Sequence, residues 1–420
     1  MPMKPADLII ENAAQILTLS AGKSAGKAEE KLAILTNGSM AIAKGRIVWV
    51  GPWQQISQQV DLSSNPHRIE ASGKVVLPGF IDSHTHLVFA GTREKEFELR
   101  LQGATYQEIA AKGGGIRSTV QKTRQASKEE LLEIGKRHLD QMLSLGTTTV
   151  EAKSGYGLST QDEIKMLEVL RDLDRAHPVS VVPTFMGAHE IPPEYADKKD
   201  DYVRLVIEEM IPAVAEKKLA VFCDVFCEQG VFSPEESRRI LEAGKRYGLE
   251  AKIHADELTS LGGAELAAEL GAASADHLLF ISDKGMERMA EKGVVATLLP
   301  GTAFFLFLGR YAPARKMIEK GVTVALASDF NPGSCMTQSL PLITTIACTQ
   351  MRMTPAEAIL GITLHAATAL KKEREIGSLE AGKQADLVIL DIPDYRHLSY
   401  HFGVNHVWKV INKGIVSWEG

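Results

Sequence analysis

From residue 75 onward, short β-branched runs alternate with helical patterns, and this alternation constrains the fold more than any other feature of the sequence. Alternating strands and helices are typical of βαβ units that build a parallel sheet. Eight such runs begin at residues 75, 147, 179, 220, 250, 273, 293 and 322. Because eight parallel strands close a (β/α)8 barrel, we expect an α/β fold with a TIM barrel over residues 75–372.

Both chain ends carry a different, β-rich pattern. A hairpin pattern turns at Lys44-Gly45, and a strand pattern returns at residues 385–391. A second hairpin pattern turns near Asn412. We interpret residues 1–74 and 373–420 as one small β-sandwich domain that the two ends build together beside the barrel.

Composition is that of an ordinary globular protein. Of the 420 residues, 45% are hydrophobic and 24% are charged, and the net charge is −6 without a long Lys or Arg run. Nucleic acid and anionic membrane surfaces are therefore poor partners.

We expect no signal peptide and no membrane helix, because the apolar stretches fall short of the ~20 residues that spanning needs. The four cysteines form no CxxC pair, which favours a reducing, cytoplasmic location.

The most informative polar motif follows the first predicted barrel strand. His84-Thr85-His86 comes directly after the run Pro78-Gly-Phe-Ile-Asp-Ser83. Residues i and i+2 on a strand point to the same side, so both imidazoles would face the mouth of the barrel. Enzymes with this fold carry their active sites at that end. An HxH pair alone is a weak signal, but this position favours metal binding over a coincidence.

Three more titratable residues occupy comparable positions. His254 ends the fifth predicted strand, His277 ends the sixth and Asp329 ends the eighth. Any one of them could be a buried hydrogen-bonded group or a helix cap. Taken with the HxH pair, they indicate a site for one divalent metal made of imidazoles and one carboxylate, with room for water.

Longer segments resemble a known group of enzymes. Three features resemble the amidohydrolase superfamily. They are residues 78–86, the strand-end residues His254, His277 and Asp329, and the tail Gly382-Lys-Gln-Ala-Asp-Leu-Val388. Four segments resemble one family within it, the imidazolonepropionases of histidine degradation, and these are residues 89–96, 153–157, 184–195 and 329–334. The resemblance extends over nearly the whole chain, with no departure at a position expected to carry chemistry.

The resemblance implies hydrolysis of 4-imidazolone-5-propanoate to N-formimidoyl-L-glutamate by a metal-dependent homodimer. The metal, Zn or Fe, would be bound by His84, His86, His254 and Asp329. The implied catalytic residues are Glu257, His277 and Asp329, and which of them carries each proton stays open. The implied substrate contacts are Arg93, Tyr106, Tyr156, His189, Glu257, Asn331, Gly333 and Ser334.

Several of these candidates also have a structural interpretation. Arg93 could clamp a carboxylate with two parallel hydrogen bonds, or it could be an ordinary loop arginine. Tyr156 and His189 could simply pack at the barrel rim, and Asn331 with its neighbours could form a turn. Binuclear members of the superfamily bridge two metals with a lysine of the fourth strand. Lys153 ends the second predicted strand, so we expect one metal and interpret Lys153 as structural or as a charge behind the site.

Two other functions remain open. A related amidohydrolase that deaminates a purine, pyrimidine or triazine ring would use the His254–Glu257 pair equally well. Such neutral bases offer no carboxylate to Arg93, which argues against this reading. A non-catalytic scaffold barrel should lack some metal ligands, and this chain lacks none. The expected partner is a small-molecule substrate.

Overall fold

The computed structural model describes residues 3–20, 26–63, 65–104 and 114–420. Its strands are β1 (Lys4–Pro5), β2 (Leu8–Leu17), β3 (Ile34–Ala43), β4 (Arg46–Pro52), β5 (Val60–Asp61), β6 (His67–Glu70), β7 (Val75–Pro78), β8 (Phe80–Asp82), β9 (Thr147–Lys153), β10 (Ser180–Ala188), β11 (Phe222–Cys227), β12 (Glu250–Ala255), β13 (Ser274–His277), β14 (Val295–Leu298), β15 (Val324–Leu326), β16 (Leu387–Leu390), β17 (Val407–Asn412) and β18 (Ile415–Glu419).

The α-helices of the same residues are α1 (Ala28–Lys31), α2 (Ile56–Gln59), α3 (Glu94–Leu101), α4 (Ile116–Gln125), α5 (Lys128–Ser144), α6 (Thr160–Ala176), α7 (Lys199–Leu205), α8 (Ile211–Glu216), α9 (Pro234–Arg246), α10 (Gly263–Leu270), α11 (Asp283–Lys292), α12 (Pro300–Phe305), α13 (Ala314–Glu319), α14 (Leu340–Met351), α15 (Pro355–Gly361), α16 (Leu364–Ala369) and α17 (His397–Tyr400). A π-helical turn, Val206–Met210, joins α7 to α8. Within these ranges, no helix has the length and apolar character to cross a membrane.

The barrel consists of β8 to β15, hydrogen-bonded in sequential order as one parallel sheet. The first and last strands meet just beyond their ends. There the Asp329 amide donates to the His84 carbonyl at 3.0 Å, and the His86 amide donates to the Phe330 carbonyl at 2.9 Å. The predicted barrel is confirmed, and its two edges join at residues predicted to bind metal.

The first predicted barrel strand divides at Gly79 between two sheets. Strand β7 pairs with β2 and β16 from the chain ends, whereas β8 pairs with β9 in the barrel. A Cβ at Gly79 would overlap the Thr148 side chain of β9. Glycine therefore allows the close approach that the change of sheet requires. The sequence suggested one strand because buried strands in both sheets are continuously apolar.

The chain ends form a separate sheet beside the barrel. Its main path is β18-β17-β16-β7-β2-β3-β4, with β6 paired to β2. The predicted turn at Lys44-Gly45 joins β3 to β4, and both residues have positive φ. An apolar core that includes Ile10, Ile42 and Leu387 stabilises this sheet. The small β-domain from both ends is confirmed, while the limits 1–74 and 373–420 stay a prediction.

Helices cover the outside of the barrel, and several of them begin at a side-chain cap. Ser233 accepts the Glu236 amide and the Glu236 side chain accepts the Ser233 amide, which forms a capping box at the start of α9. The helical segment from Lys199 to Glu216 is interrupted by the π-helical turn. Pro212, the second residue of α8, lacks the N–H that a regular α-helix would donate, and the π-helical turn ends two residues before it.

Candidate metal centre and substrate pocket

Four histidines converge at the mouth of the barrel, and all four are buried. The ring centroid of His84 lies 4.5 Å from that of His254, 5.4 Å from that of His277 and 5.6 Å from that of His86. The Asp329 carboxylate lies 3.5 Å from His84 Nε2 and 3.6 Å from His86 Nε2. The structure therefore brings the predicted metal ligands and His277 together.

Ring nitrogens in this cluster lack hydrogen-bond partners. Among the described residues, His84 Nε2 and His254 Nε2 are buried without one. Leaving such an atom unsatisfied costs about 1–3 kcal/mol, so the arrangement calls for a ligand. The donor atoms of His84, His86 and Asp329 lie within 4.8 Å of one another, as do those of His84, His254 and His277. Imidazole and carboxylate donors at this spacing fit a divalent metal.

Two buried carboxylates orient two of the rings. His84 Nδ1 donates to Asp276 Oδ2 at 2.7 Å, and His254 Nδ1 lies 3.1 Å from Asp224 Oδ2. A proton shared at Nδ1 leaves the Nε2 lone pair directed at the centre. Burial also holds the pKa of His84 well below its ordinary value, which keeps the ring neutral. Both features prepare the imidazoles to bind a metal.

Lys153 lies behind these carboxylates. Its Nζ is 2.8 Å from Glu151 Oε1, 2.8 Å from Asp224 Oδ2 and 3.8 Å from Asp276 Oδ2. None of the four side chains is exposed to solvent. Lys153 thus contacts the groups that hold the histidines, which fits the expectation of a charge behind the site.

A cavity of about 600 Å³ opens in front of the histidines. The predicted substrate contacts that line it are Arg93, Tyr156, His189, Glu257, Asn331, Gly333 and Ser334. Apolar walls come from Phe226, Leu306 and Leu308. Tyr106, the remaining predicted contact, lies outside the described residues.

Arg93 precedes α3 and holds its guanidinium against the loop that follows Asp329. A Cβ at Gly333 would overlap Arg93 Nη2, so only glycine leaves this space free. Among the described residues, Arg93 Nε is buried without a hydrogen-bond partner, and the Glu96 carboxylate is 3.8 Å from Nη1. The guanidinium therefore keeps donors available for a ligand in the cavity.

His189 and Tyr156 form an aromatic wall beside His86, a predicted metal ligand. The His189 ring stacks on His86, with centroids 4.8 Å apart and an angle of 17° between the rings. His189 Nδ1 donates to the Gly155 carbonyl at 3.0 Å, and burial lowers the pKa of His189 to about 3. The ring is thus neutral, and its Nε2 can accept a hydrogen bond. Burial raises the pKa of Tyr156, whose hydroxyl remains a donor.

Asn331 shapes the loop after Asp329. Its Oδ1 accepts the amides of Gly333 and Ser334, each at 2.8 Å. Its Nδ2 donates to the Asp329 carbonyl and to Ser334 Oγ, each at 2.7 Å. Because these contacts use most of its side-chain capacity, Asn331 acts on the cavity mainly through the loop that it holds.

Glu257 lies at the edge of the histidine cluster, with Oε1 3.5 Å from His277 Nδ1. Burial raises the pKa of Glu257 well above its ordinary value, and the negative charges of Asp329 and Glu228 add to this shift. Glu257 therefore holds its proton to a higher pH than an exposed glutamate. A carboxyl group in this state is suited to act as a general acid.

Comparisons with known proteins place the chain in a family. The model of the amidohydrolase family matches residues 75–416. An imidazolonepropionase of Geobacillus sp. (strain WCH70) is 56% identical over 418 residues, which is 99% of this chain and 98% of that protein. An imidazolonepropionase of Symbiobacterium thermophilum is 54% identical over 413 residues, which is 98% of this chain and 97% of that protein. The chain belongs to the imidazolonepropionase family of amidohydrolases.

Solved structures at low identity share the fold. A triazine hydrolase variant gives a TM-score of 0.74 at 16% identity, covering 98% of this chain and 94% of that chain. Guanine deaminase of E. coli gives a TM-score of 0.73 at 16% identity, and the match covers 98% of this chain and 99% of that chain. An adenosine deaminase from Xanthomonas campestris, described with bound zinc, gives a TM-score of 0.69 at 19% identity. That match covers 99% of this chain and 93% of that chain. Membership of the imidazolonepropionase family and the histidine–aspartate cluster both indicate that the protein binds a divalent metal.

Some residues at this imidazolonepropionase-family site were not predicted from the sequence. Asp224 and Asp276 were missed, although carboxylates inside apolar strands must be paired and could have been noticed for that reason. Arg100 also lines the cavity, with its Nε buried and without a hydrogen-bond partner. Its spacing of seven residues from Arg93, two helical turns, was the signal that could have identified it.

Proposed function

We propose that this protein hydrolyses the ring amide of 4-imidazolone-5-propanoate to give N-formimidoyl-L-glutamate in histidine degradation. Identities of 54% and 56% to imidazolonepropionases over nearly the full chain support this reaction. The observation that carries the proposal is the position of Arg93, whose guanidinium lines the same cavity as the histidine–aspartate cluster. A substrate that is a cyclic amide and bears a carboxylate needs a metal site for the amide and a cation for the carboxylate in the same cavity.

The metal in this proposal is a single Zn or Fe ion held by His84, His86, His254 and Asp329. Such an ion would polarise the ring carbonyl and lower the pKa of water toward ~7. Family resemblance supports a homodimer. The four cysteines are all free, which supports a reducing, cytoplasmic location.

In the proposed reaction, Asp329 and His277 orient the attacking water and take up its proton. The Thr302 hydroxyl donates to Asp329 Oδ2 at 2.5 Å and fixes that carboxylate. Water adds its oxygen to the ring carbonyl carbon, and the carbonyl C–N bond then breaks. Glu257, whose pKa is raised by burial, donates a proton to the departing ring nitrogen.

The other cavity residues would bind the substrate. Arg93 pairs with the propionate carboxylate through its free guanidinium donors. His189 Nε2 accepts a hydrogen bond from the ring, since Nδ1 is occupied by the Gly155 carbonyl. Tyr156 donates its hydroxyl, and the apolar walls pack against the ring and the aliphatic part of the substrate.

Steady-state turnover of 4-imidazolone-5-propanoate, compared with that of guanine and cytosine, tests this function. We expect turnover of the imidazolone only, formation of N-formimidoyl-L-glutamate, and loss of activity after treatment with a chelator. Release of ammonia from a base, with the imidazolone unchanged, would identify the protein as a deaminase instead.

Substitution of Arg93 by alanine should lower kcat/KM by about 30- to 1000-fold, corresponding to roughly 2–4 kcal/mol of lost binding in the transition state. The reason is that the substrate carboxylate loses a charge-assisted, bidentate partner. Metal content should not change, because Arg93 contacts none of the four ligands. Steady-state kinetics and elemental analysis measure the two effects.

Two variants and one substrate analogue control this prediction. Arg93→Lys should recover only part of the activity, since an ammonium cannot form the planar fork. Gly333→Ala keeps the arginine but displaces its guanidinium, so it should also lower kcat/KM. An analogue without the propionate carboxylate should be nearly insensitive to Arg93→Ala. An equal loss for the analogue and the substrate would mean that Arg93 only stabilises the loop.

A further inference from the structure

Behind the histidines lies a group of four buried ionisable side chains, Glu151, Lys153, Asp224 and Asp276, which we call the buried charge cluster. None of them is exposed to solvent. Lys153 is in contact with all three carboxylates, through Nζ distances of 2.8, 2.8 and 3.8 Å. Buried charges are costly unless they are paired, so Lys153 allows three carboxylates to lie together inside the barrel, with a contribution from Lys252, whose Nζ is 3.7 Å from Asp276 Oδ2.

Two of these carboxylates act directly on the metal-binding imidazoles. Asp276 Oδ2 accepts from His84 Nδ1 at 2.7 Å and lies 3.8 Å from Lys153 Nζ. Asp224 Oδ2 lies 3.1 Å from His254 Nδ1 and 2.8 Å from the same Nζ. One ammonium therefore connects the partners of two different ligands, which come from separate strands of the barrel.

We infer that Lys153 is a positioning residue of the metal centre, which holds Asp224 and Asp276 in place so that His84 and His254 direct Nε2 at the metal. The inference deepens the proposed function because it rests on the metal site, but it does not depend on which substrate is hydrolysed. Without the ammonium, neighbouring buried anions would repel one another and move, and both imidazoles would lose their oriented acceptors.

The geometry of the lysine supports this role over a general one in stability. Burial alone would lower the pKa of Lys153, but Asp224, Glu151 and Asp276 raise it above the ordinary value. The side chain is thus a fixed positive charge. A second buried lysine, Lys252, lies 3.7 Å from Asp276 Oδ2 and 3.3 Å from the Ser83 carbonyl. Within the described part of the chain it pairs with no other carboxylate, so it does not connect the partners of two ligands.

Two opposite effects on metal affinity have to be weighed. A lysine near a cation repels it, so removal of Lys153 for that reason alone would tighten metal binding. Loss of the groups that orient the ligands weakens metal binding by about 10- to 100-fold in comparable sites. Burial and then the charge of Lys153 lower the pKa of His84, but the closest ion-pair partners of Lys153 are Glu151 and Asp224, each at 2.8 Å. We therefore expect the second effect to dominate.

The test measures the affinity of the full-length apoprotein for Zn²⁺ by competition with a chromophoric chelator. Co²⁺ absorption spectra report the ligand geometry in the same samples. Lys153→Met should weaken Zn²⁺ binding by about 10- to 100-fold and change the Co²⁺ spectrum. Lys153→Gln, which keeps a polar group of similar length, is the second variant should the methionine protein fail to fold. Unchanged or tighter binding in a folded variant would overturn the inference.

A double-mutant cycle separates positioning from simple loss of stability. Asp224→Asn keeps the lysine and should weaken Zn²⁺ binding by a similar factor. If Lys153 acts through Asp224, adding Lys153→Met to Asp224→Asn should cause less further loss than Lys153→Met causes alone. Fully additive losses would contradict the inference. Absence of metal binding by the wild-type protein would instead refute the proposed function.

The third carboxylate of the cluster provides a matched control for net charge. Among the described residues Glu151 contacts no metal-binding imidazole. Its Oε1 pairs with Lys153, and its Oε2 accepts the Thr85 amide at 3.3 Å, a contact that the amide oxygen of glutamine can keep. The double variant Lys153→Met, Glu151→Gln removes one charge of each sign and leaves the net charge unchanged. Zn²⁺ binding should stay weak in this variant, because Asp224 and Asp276 still lack their common partner. Recovery of wild-type affinity would show that only the number of charges matters and would overturn the positioning role.

Discussion

Replacement of His84 by alanine is expected to remove the bound metal and to lower kcat by on the order of 10⁴-fold or more. His84 is common to both sets of converging donors, the one with His86 and Asp329 and the one with His254 and His277. Its removal therefore disrupts every combination of ligands at the site. Elemental analysis of the purified variant and its turnover of 4-imidazolone-5-propanoate measure the two losses.

His365 offers a matched control for this substitution. Its Nδ1 donates to the Val324 carbonyl of β15 at 2.8 Å, and it lines no part of the cavity. His365→Ala should lower thermal stability because that carbonyl loses its donor. Metal content and kcat should remain close to those of the wild-type protein. Full activity in His84→Ala, with the metal retained, would show that the ligand set is wrong.

Substitution of Glu257 by glutamine is expected to keep the metal but to lower kcat by about 10²- to 10⁴-fold, the usual effect of losing a general acid or base. Glutamine has nearly the same shape, so the cavity should keep its form. It cannot transfer a proton to the ring nitrogen. Near wild-type turnover would remove Glu257 from the mechanism.

The pH dependence of kcat gives a second readout for Glu257. Because burial raises the pKa of Glu257, the protonated form persists to higher pH than in an exposed glutamate. An acid must be protonated to act, so kcat of the wild-type protein should fall as pH rises through this pKa. The Glu257→Gln variant should lack that alkaline decline. The same decline in both proteins would assign the ionisation to another group.

The sequence predicts that the candidate metal ligands lie together, and the reason is the fold. In a parallel barrel the C-terminal ends of all strands lie at one mouth, so strand-end residues such as His84 and Asp329 are expected to be close together. This reasoning needs the order of the strands but no detail of side-chain packing. It does not reveal that the Asp329 amide donates to the His84 carbonyl, which joins the edges of the barrel.

The contacts behind the ligands depend on information that local sequence does not contain. Lys153 and Asp224 are 71 residues apart, and they meet because β9, β10 and β11 pair in one particular register. A shift of one residue in that register would turn either side chain to the other face of the sheet. The spacing of Arg100 from Arg93 was a signal in the sequence, but only the packing of α3 against the mouth shows that its guanidinium reaches the cavity. The role of Tyr106 stays a prediction.

The most direct test of the proposed reaction follows the oxygen of water in a single turnover. The protein is mixed with 4-imidazolone-5-propanoate in ¹⁸O-enriched water, and the product is analysed by mass spectrometry together with an assay for ammonia. We predict N-formimidoyl-L-glutamate with one ¹⁸O in the newly formed carboxylate, no release of ammonia, and no product from chelator-treated protein. Unchanged substrate in the presence of metal, or release of ammonia with the ring intact, would contradict hydrolysis of the ring amide.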